Sequence, residues 1–162
     1  MHKLEIVLNY FPATELPVLF SEDYLQDFEA DSKPFPQAFI EEILLKWEPD
    51  ADEYTEFIPC VKLPEEERFN AVVYWKGSLL KYEFILVTLD KSGEIISKKI
   101  IASTQVNDNI IRKSVASIEP DHIINIIAGQ TIEGIEYDPT MSKAFAMEIL
   151  PTGEIIFSMD GI

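Results

Sequence analysis

The chain has 162 residues, of which 47% are hydrophobic and 26% charged, a composition that fits a soluble globular domain and excludes a disordered or fibrous chain. Thirteen basic residues against 29 acidic ones leave a net charge of −16, a field that repels phosphate backbones and excludes nucleic acid as a partner. A lone cysteine, Cys60, excludes an internal disulfide framework and fits a reducing, cytoplasmic setting; a secreted origin would require a leader already removed.

The acidity is uneven. Residues 1–68 carry 17 acids and 5 bases, and residues 69–162 carry 12 acids and 8 bases. A chain of this length buries about two thirds of its unfolded surface as one unit. Residues 1–162 therefore read as a single domain, with an acidic, helix-containing N-terminal part (1–68) and a β-meander (69–162). No run approaches the roughly 20 apolar residues of a membrane span.

In chain order, Leu4 to Tyr10 alternates loosely and reads as a short strand, with Leu4, Ile6 and Leu8 on one face. Pro12 and Pro17 keep Phe11 to Phe20 extended. Ser21 is an N-cap candidate for a helix over Glu22–Phe28, with Glu22 and Asp23 at the positive end of its dipole. Pro36 opens a second helix, in which Phe39, Ile40, Ile43, Leu44 and Trp47 form one stripe, expected to bury against the sheet. Pro49 ends it. Glu48 to Arg68 is acidic, proline-rich and aperiodic, and reads as a connection.

From Phe69 onward the pattern is strand and turn. Phe69–Trp75 and Leu79–Leu89 flank a turn at Lys76-Gly77-Ser78, and Ile95–Ile101 follows the turn residues Asp90 to Gly93. Gln105–Asn109 is a polar break before Ile110–Ile118, Glu119-Pro120-Asp121 turns the chain, and His122–Ala128 ends at Gly129. A short strand over Thr131–Tyr137 and a loop at Asp138-Pro139-Thr140 lead to a last hairpin, Lys143–Leu150 with Glu154–Met159. The fold class is α+β: an antiparallel β-meander of about seven or eight strands, curled, sandwich-like or barrel-like, with one or two N-terminal helices packed on it.

Chemistry leaves a fainter trace. The phosphate-loop, dinucleotide, nucleophile-elbow and zinc-protease motifs are missing, and nothing in the spacing asks for a cofactor or a metal. Cys60 among Phe57, Ile58 and Val61 reads as a small buried hydrophobe, not as a nucleophile paired with His122. Asp50, Asp52, Glu53 and Glu56 lack the glycine and the twelfth-position acid of a calcium-binding loop. These four, with Glu65, Glu66 and Glu67, sit in the proline-bounded connection, a loop held by a rigid sheet, and form the candidate binding face for a basic protein, a cationic toxin or nuclease being one such partner for an immunity-type protein. Tyr74, Trp75 and Tyr82, on neighbouring strands, are a candidate platform for a sugar ring or a peptide. The functional expectation is a non-catalytic binding protein; the alternative is a sugar- or small-molecule-binding domain, or a small hydrolase using carboxylates and tyrosines in a pocket.

Overall fold

The computed structural model describes residues 2–132 and 142–158. The segment expected as a strand over Leu4–Tyr10 is instead a helix, α1 (Lys3–Leu8), capped by His2, whose Nδ1 accepts from the Leu4 amide at 3.3 Å. The reason lies in spacing: Leu4, Val7 and Phe11 recur at i, i+3 and i+7 and enter one apolar cluster, whereas a strand would divide them between faces. An extended run then leads to β1 (Val18–Phe20). Ser21 caps the next turn as expected, its hydroxyl accepting from the Asp23 amide at 3.2 Å, and a 3₁₀ turn (Glu22–Tyr24) passes into α2 (Leu25–Asp31). Leu25 and Phe28 pack inward while Tyr24 faces solvent.

The apolar stripe after Pro36 forms α3 (Gln37–Phe39), a π turn (Ile40–Leu44) and α4 (Leu45–Trp47) in unbroken succession. Phe39, Leu44 and Trp47 are buried against Val72, Tyr74, Ile85 and Val87 of the sheet, the docking that the stripe implies. Burying side chains of this size contributes about 1.5–3 kcal/mol each.

The supposed connection over Glu48–Arg68 contains a strand, β2 (Glu56–Lys62), which the proline at position 59 disguises. Proline is tolerated because β2 is the first strand of the sheet and its register with β3 shifts between Pro59 and Val61. The meander continues through β3 (Asn70–Ser78), β4 (Lys81–Leu89), β5 (Ile95–Asn107), β6 (Ile110–Ile118), β7 (Ile123–Ile132), β8 (Lys143–Ile149) and β9 (Ile155–Phe157), every neighbouring pair antiparallel. Its two ends, β2 and β9, do not pair, so the sheet is curled and not a closed barrel.

Three boundaries differ from expectation. The β3–β4 turn lies at Leu79-Leu80, two residues beyond Gly77, with Leu80 at φ 59° and Ser78 paired to Lys81. Lys76 and Gly77 stay in the strand because Lys76 has a buried ionic partner in Glu48 and Gly77 lies under the Trp75 ring, where an added Cβ would fall 2.3 Å from a ring carbon. β5 runs through the polar break to Asn107, and β7 continues past Gly129, both held by pairing with β6. The expected strand over Thr131–Tyr137 is described only as far as Ile132, within β7; its remainder, the Asp138-Pro139-Thr140 loop and Met159 lie outside the described residues.

The curl has a local cause. β5 pairs with β4 from Ile95 to Gln105 but with β6 only from Ser103 to Asn107, while β1 takes over the rest of β6, Val18 opposite Ile118 and Phe20 opposite Ala116. A register shift between Phe84 and Ile85 accompanies this handover, as expected where a strand bends. The later strands thereby fold back, and Ile118, Ile124, Met147, Ile149 and Ile155 join Val73, Phe84 and Leu86 in one core, with Phe20 beside them. Thr88 pins the β8–β9 turn to β4, its hydroxyl donating to the Gly153 carbonyl at 2.6 Å. The sheet thus buries both faces of β3 and β4, one under the helices and one under its own continuation.

Candidate functional site

Alternation along β3 sends Val72, Tyr74 and Lys76 toward the helices and Val73 and Trp75 the other way. At the helix-covered end, directly after α4, Glu48 meets three donors: the Tyr74 hydroxyl at 2.6 Å, Lys76 Nζ at 2.9 Å and Lys98 Nζ at 2.9 Å. Lys98 also donates to the Trp47 carbonyl, and Lys76 reaches Asp50 at 2.8 Å. Burial alone would lift the Glu48 carboxyl, but the three hydrogen bonds and the Lys76 charge outweigh it and hold the group below its ordinary value. Tyr74 is pushed well above the usual phenol range by burial and by Glu48. A carboxylate saturated in this way is a tether for α4 and not a proton carrier.

Two carboxylates are displaced upward. Glu22 is raised by burial despite accepting from the Trp75 indole at 3.1 Å, and Glu83, beside Lys76 in the β3–β4 register, is raised by burial against the pull of Lys81 and Lys76. Neither lines the groove described next. Cys60 is buried, its thiol pushed far up by desolvation, and His122 is engaged by Glu66 at 3.1 Å and by the Phe69 ring, so cysteine and histidine do not meet. Among the described residues no three His, Cys, Asp or Glu side chains converge to hold a metal ion.

The aromatic candidates are divided. Tyr74 is fully buried under the helices, whereas Trp75 and Tyr82 stack on the other face, 5.7 Å between centroids and 11° between planes. Trp75 covers Gly77 and is itself almost wholly buried, so the pair closes the end of the hairpin and offers no open platform.

The acidic candidates are divided as well. Asp50, Asp52, Glu53 and Glu56 precede or begin β2, and Glu65, Glu66 and Glu67 follow its end, so the length of the strand, about 20 Å, lies between the groups. In the second group Glu65 pairs with Lys91 at 3.3 Å and Glu66 with His122, while Lys91 also holds the Glu66 carbonyl at 2.6 Å; Glu67 is exposed. In the first group Asp50 is bound to Lys76, and Asp52 shapes its own turn by accepting from the Tyr54 amide at 2.8 Å. Glu53 and Glu56 are exposed and have no ion-pair partner among the described residues.

Glu56 stands on a groove of about 360 Å³ between the end of α2, the segment before α3 and the start of β2. Its floor is Pro34, Phe35, Ile40, Phe57, Ile58 and Pro59, its carboxylates are Glu29 and Glu56, and no basic side chain lines it. Glu29 and the floor residues escaped sequence reasoning because β2 did; the continuous apolar run from Phe57 to Val61, read as an edge strand despite Pro59, is the signal that would have shown them. The chain matches no known family model, no curated protein and no solved structure.

Proposed function

We propose that the protein is a non-catalytic binding protein that engages a basic protein partner through the groove between α2 and β2. The observation that carries this reading is an apolar floor rimmed by Glu29 and Glu56 with no cation in the lining. Such a surface suits an arginine or lysine side chain, whose aliphatic stem can lie on Phe57 and Ile58 while its charged head reaches a carboxylate. The −16 net charge steers a cation toward the molecule. An immunity-type role against a cationic toxin or nuclease is one form this takes. The competing reading, a hydrolase or sugar-binding domain, gains no support from Glu22 and Glu83, since neither raised carboxylate lines the groove.

Titration with an arginine-rich peptide, followed through backbone amide NMR shifts, tests the assignment. Shifts should concentrate at residues 29–35 and 55–59, and fade as salt shortens the screening length from about 10 Å at 0.1 M to about 3 Å at 1 M. The double variant Glu29→Lys, Glu56→Lys should lose them while keeping its melting temperature. Shifts spread evenly over every acidic surface, or unchanged in the variant, would remove the groove from consideration.

A further inference from the structure

We propose that the gap between β5 and the β8–β9 hairpin takes an extended peptide strand from a partner, apolar along its length and acidic at one end, as an added strand of the sheet.

The first observation is an incomplete ladder. β5 has β4 on one side along nearly its whole length, but its other side gains β6 only at Ser103, so from Ile95 to Ala102 no strand covers that edge among the described residues. The β8–β9 turn closes the lower end, where a Cβ on Gly153 would meet the Ile96 side chain at 2.7 Å. That leaves Ser97 to Ala102 uncovered, about 20 Å of strand edge. Among the described residues β9 presents a second such edge at the far end of the meander. Unpaired amides and carbonyls of this kind are what an incoming strand hydrogen-bonds to.

The second observation is what lies between the edges. A trough of about 330 Å³ runs past Ile100, Ile101, Ile126, Phe145, Met147 and Phe157. Three of these are unusually open for their size: Ile100 is 50% exposed, Phe145 41% and Phe157 64%. Natural sheets blunt a free edge with charge or proline; here Lys98 is drawn off to Glu48 and the Trp47 carbonyl, Lys99 stands toward the lower end, and the upper half of the edge, Ile100 to Ala102, is apolar.

The third observation selects the occupant. Through Ser103, Ser114 and Ala128 the trough continues into a basin of about 300 Å³ whose charged lining is Arg112, Lys113 and Lys143, without a carboxylate. Lys113 is engaged by Asp23 at 3.0 Å and Arg112 by the Gln130 amide oxygen at 3.3 Å, so positive charge is held in place at one end of an otherwise acidic molecule. Backbone edges call for a peptide, the apolar trough for aliphatic or aromatic side chains, and the basin for a carboxylate at the end nearest Ser103. This site lies apart from the acidic groove and does not depend on it.

The test uses the full chain and a fluorescent synthetic peptide of alternating valine and threonine with two glutamates at one end. Anisotropy should report saturable binding, and N-methylation of one alternate set of peptide amides should abolish it. The double variant Arg112→Glu, Lys143→Glu, both positions exposed, should bind about tenfold more weakly and should prefer a peptide whose glutamates are replaced by lysine. Several results would overturn the proposal: a Kd above about 1 mM for this peptide and its leucine and phenylalanine counterparts, equal binding by the N-methylated form, or no reversal of charge preference in the variant. Sedimentation showing a dimer that Ile100→Lys dissociates would also overturn it, assigning the gap to a second copy of the chain.

Discussion

Lys76 Nζ and Glu48 Oε1 lie 2.9 Å apart beneath the helices, with side chains only 4% and 5% exposed. Losing Lys76 leaves Glu48 only Lys98 and the Tyr74 hydroxyl, and losing Glu48 leaves Lys76 only the exposed Asp50. Lys76→Ala should cost about 3–5 kcal/mol in urea denaturation, because it leaves the carboxylate short of its compensation. Replacing the group together, with Glu48→Leu, Lys76→Met and Tyr74→Phe, should recover most of that loss. A combined variant as unstable as the sum of its parts would show that the network contributes net stability and is not merely self-compensating.

The same cluster sets the acid response. Glu48 titrates below its ordinary value of 4.5 in the folded state, so its contribution is complete above that pH and is lost as the pH falls through the folded value. Glu83 is raised above 4.5, so its ionised form is a penalty at neutral pH that lifts as the pH falls toward 4.5. Glu83→Gln should therefore raise the melting temperature at pH 7 and lose that advantage below 4.5. Glu48→Gln should do the opposite. A lower melting temperature for Glu83→Gln at pH 7 would mean that Lys76 and Lys81 outweigh burial.

Gly77 has no room for a methyl group, the would-be Cβ falling 2.3 Å from the Trp75 ring. Gly77→Ala should displace the indole, break its stack with Tyr82 and its hydrogen bond to Glu22, and cost about 1–3 kcal/mol. Measured in a Trp47→Phe background, the remaining tryptophan emission should shift to the red. Unshifted emission would mean that the backbone yields instead of the ring.

Trp47 closes the helical stripe, 6.1 Å from the Tyr74 ring and buried. Trp47→Ala should lower stability by about 3–5 kcal/mol. An unchanged melting temperature would place the stripe in solvent and make it a docking candidate.

Removing the chain from residue 143 onward should leave no cooperative unfolding transition, because Met147, Ile149 and Ile155 complete the core under β3 and β4. The product should bind hydrophobic dye and keep secondary structure without fixed packing. A sharp thermal transition in the truncated chain would contradict this.

Much of the meander was legible because alternation is a local property. Tyr82 to Leu89 and Ile95 to Ile101 declare themselves as strands, and the stripe from Phe39 to Trp47 declares both its helix and the burial of that helix. At Leu4 to Leu8 the helical spacing was present locally and passed over; two other errors arose where a local signal was overruled from a distance. Lys76-Gly77-Ser78 has the composition of a turn, but the sheet register and the partner at Glu48 hold it straight, and two leucines turn the chain instead. Pro59 hid β2, since only the place of that strand at the end of the sheet makes a proline acceptable. The acidity of the N-terminal part could be counted in advance, but its division between the two ends of β2 could not. Glu29 and Glu56, 27 positions apart in sequence, come to share a groove only through the packing of α2 on the sheet.

The pairing of β1 with β6 carries a cost in time. Val18 and Ile118 are neighbours in the sheet, yet 100 residues separate them along the chain. At roughly 5–20 residues per second of synthesis, about 5–20 s pass between the appearance of one partner and of the other. Phe20, fully buried in the finished core, can meet Phe84 of β4 earlier, but its own strand has no ladder until then. A nascent chain paused between β5 and β6 therefore has its helical stripe docked on β3 and β4 while β1 still lacks its ladder partner, and in that interval protease sensitivity should concentrate around Val18 to Phe20.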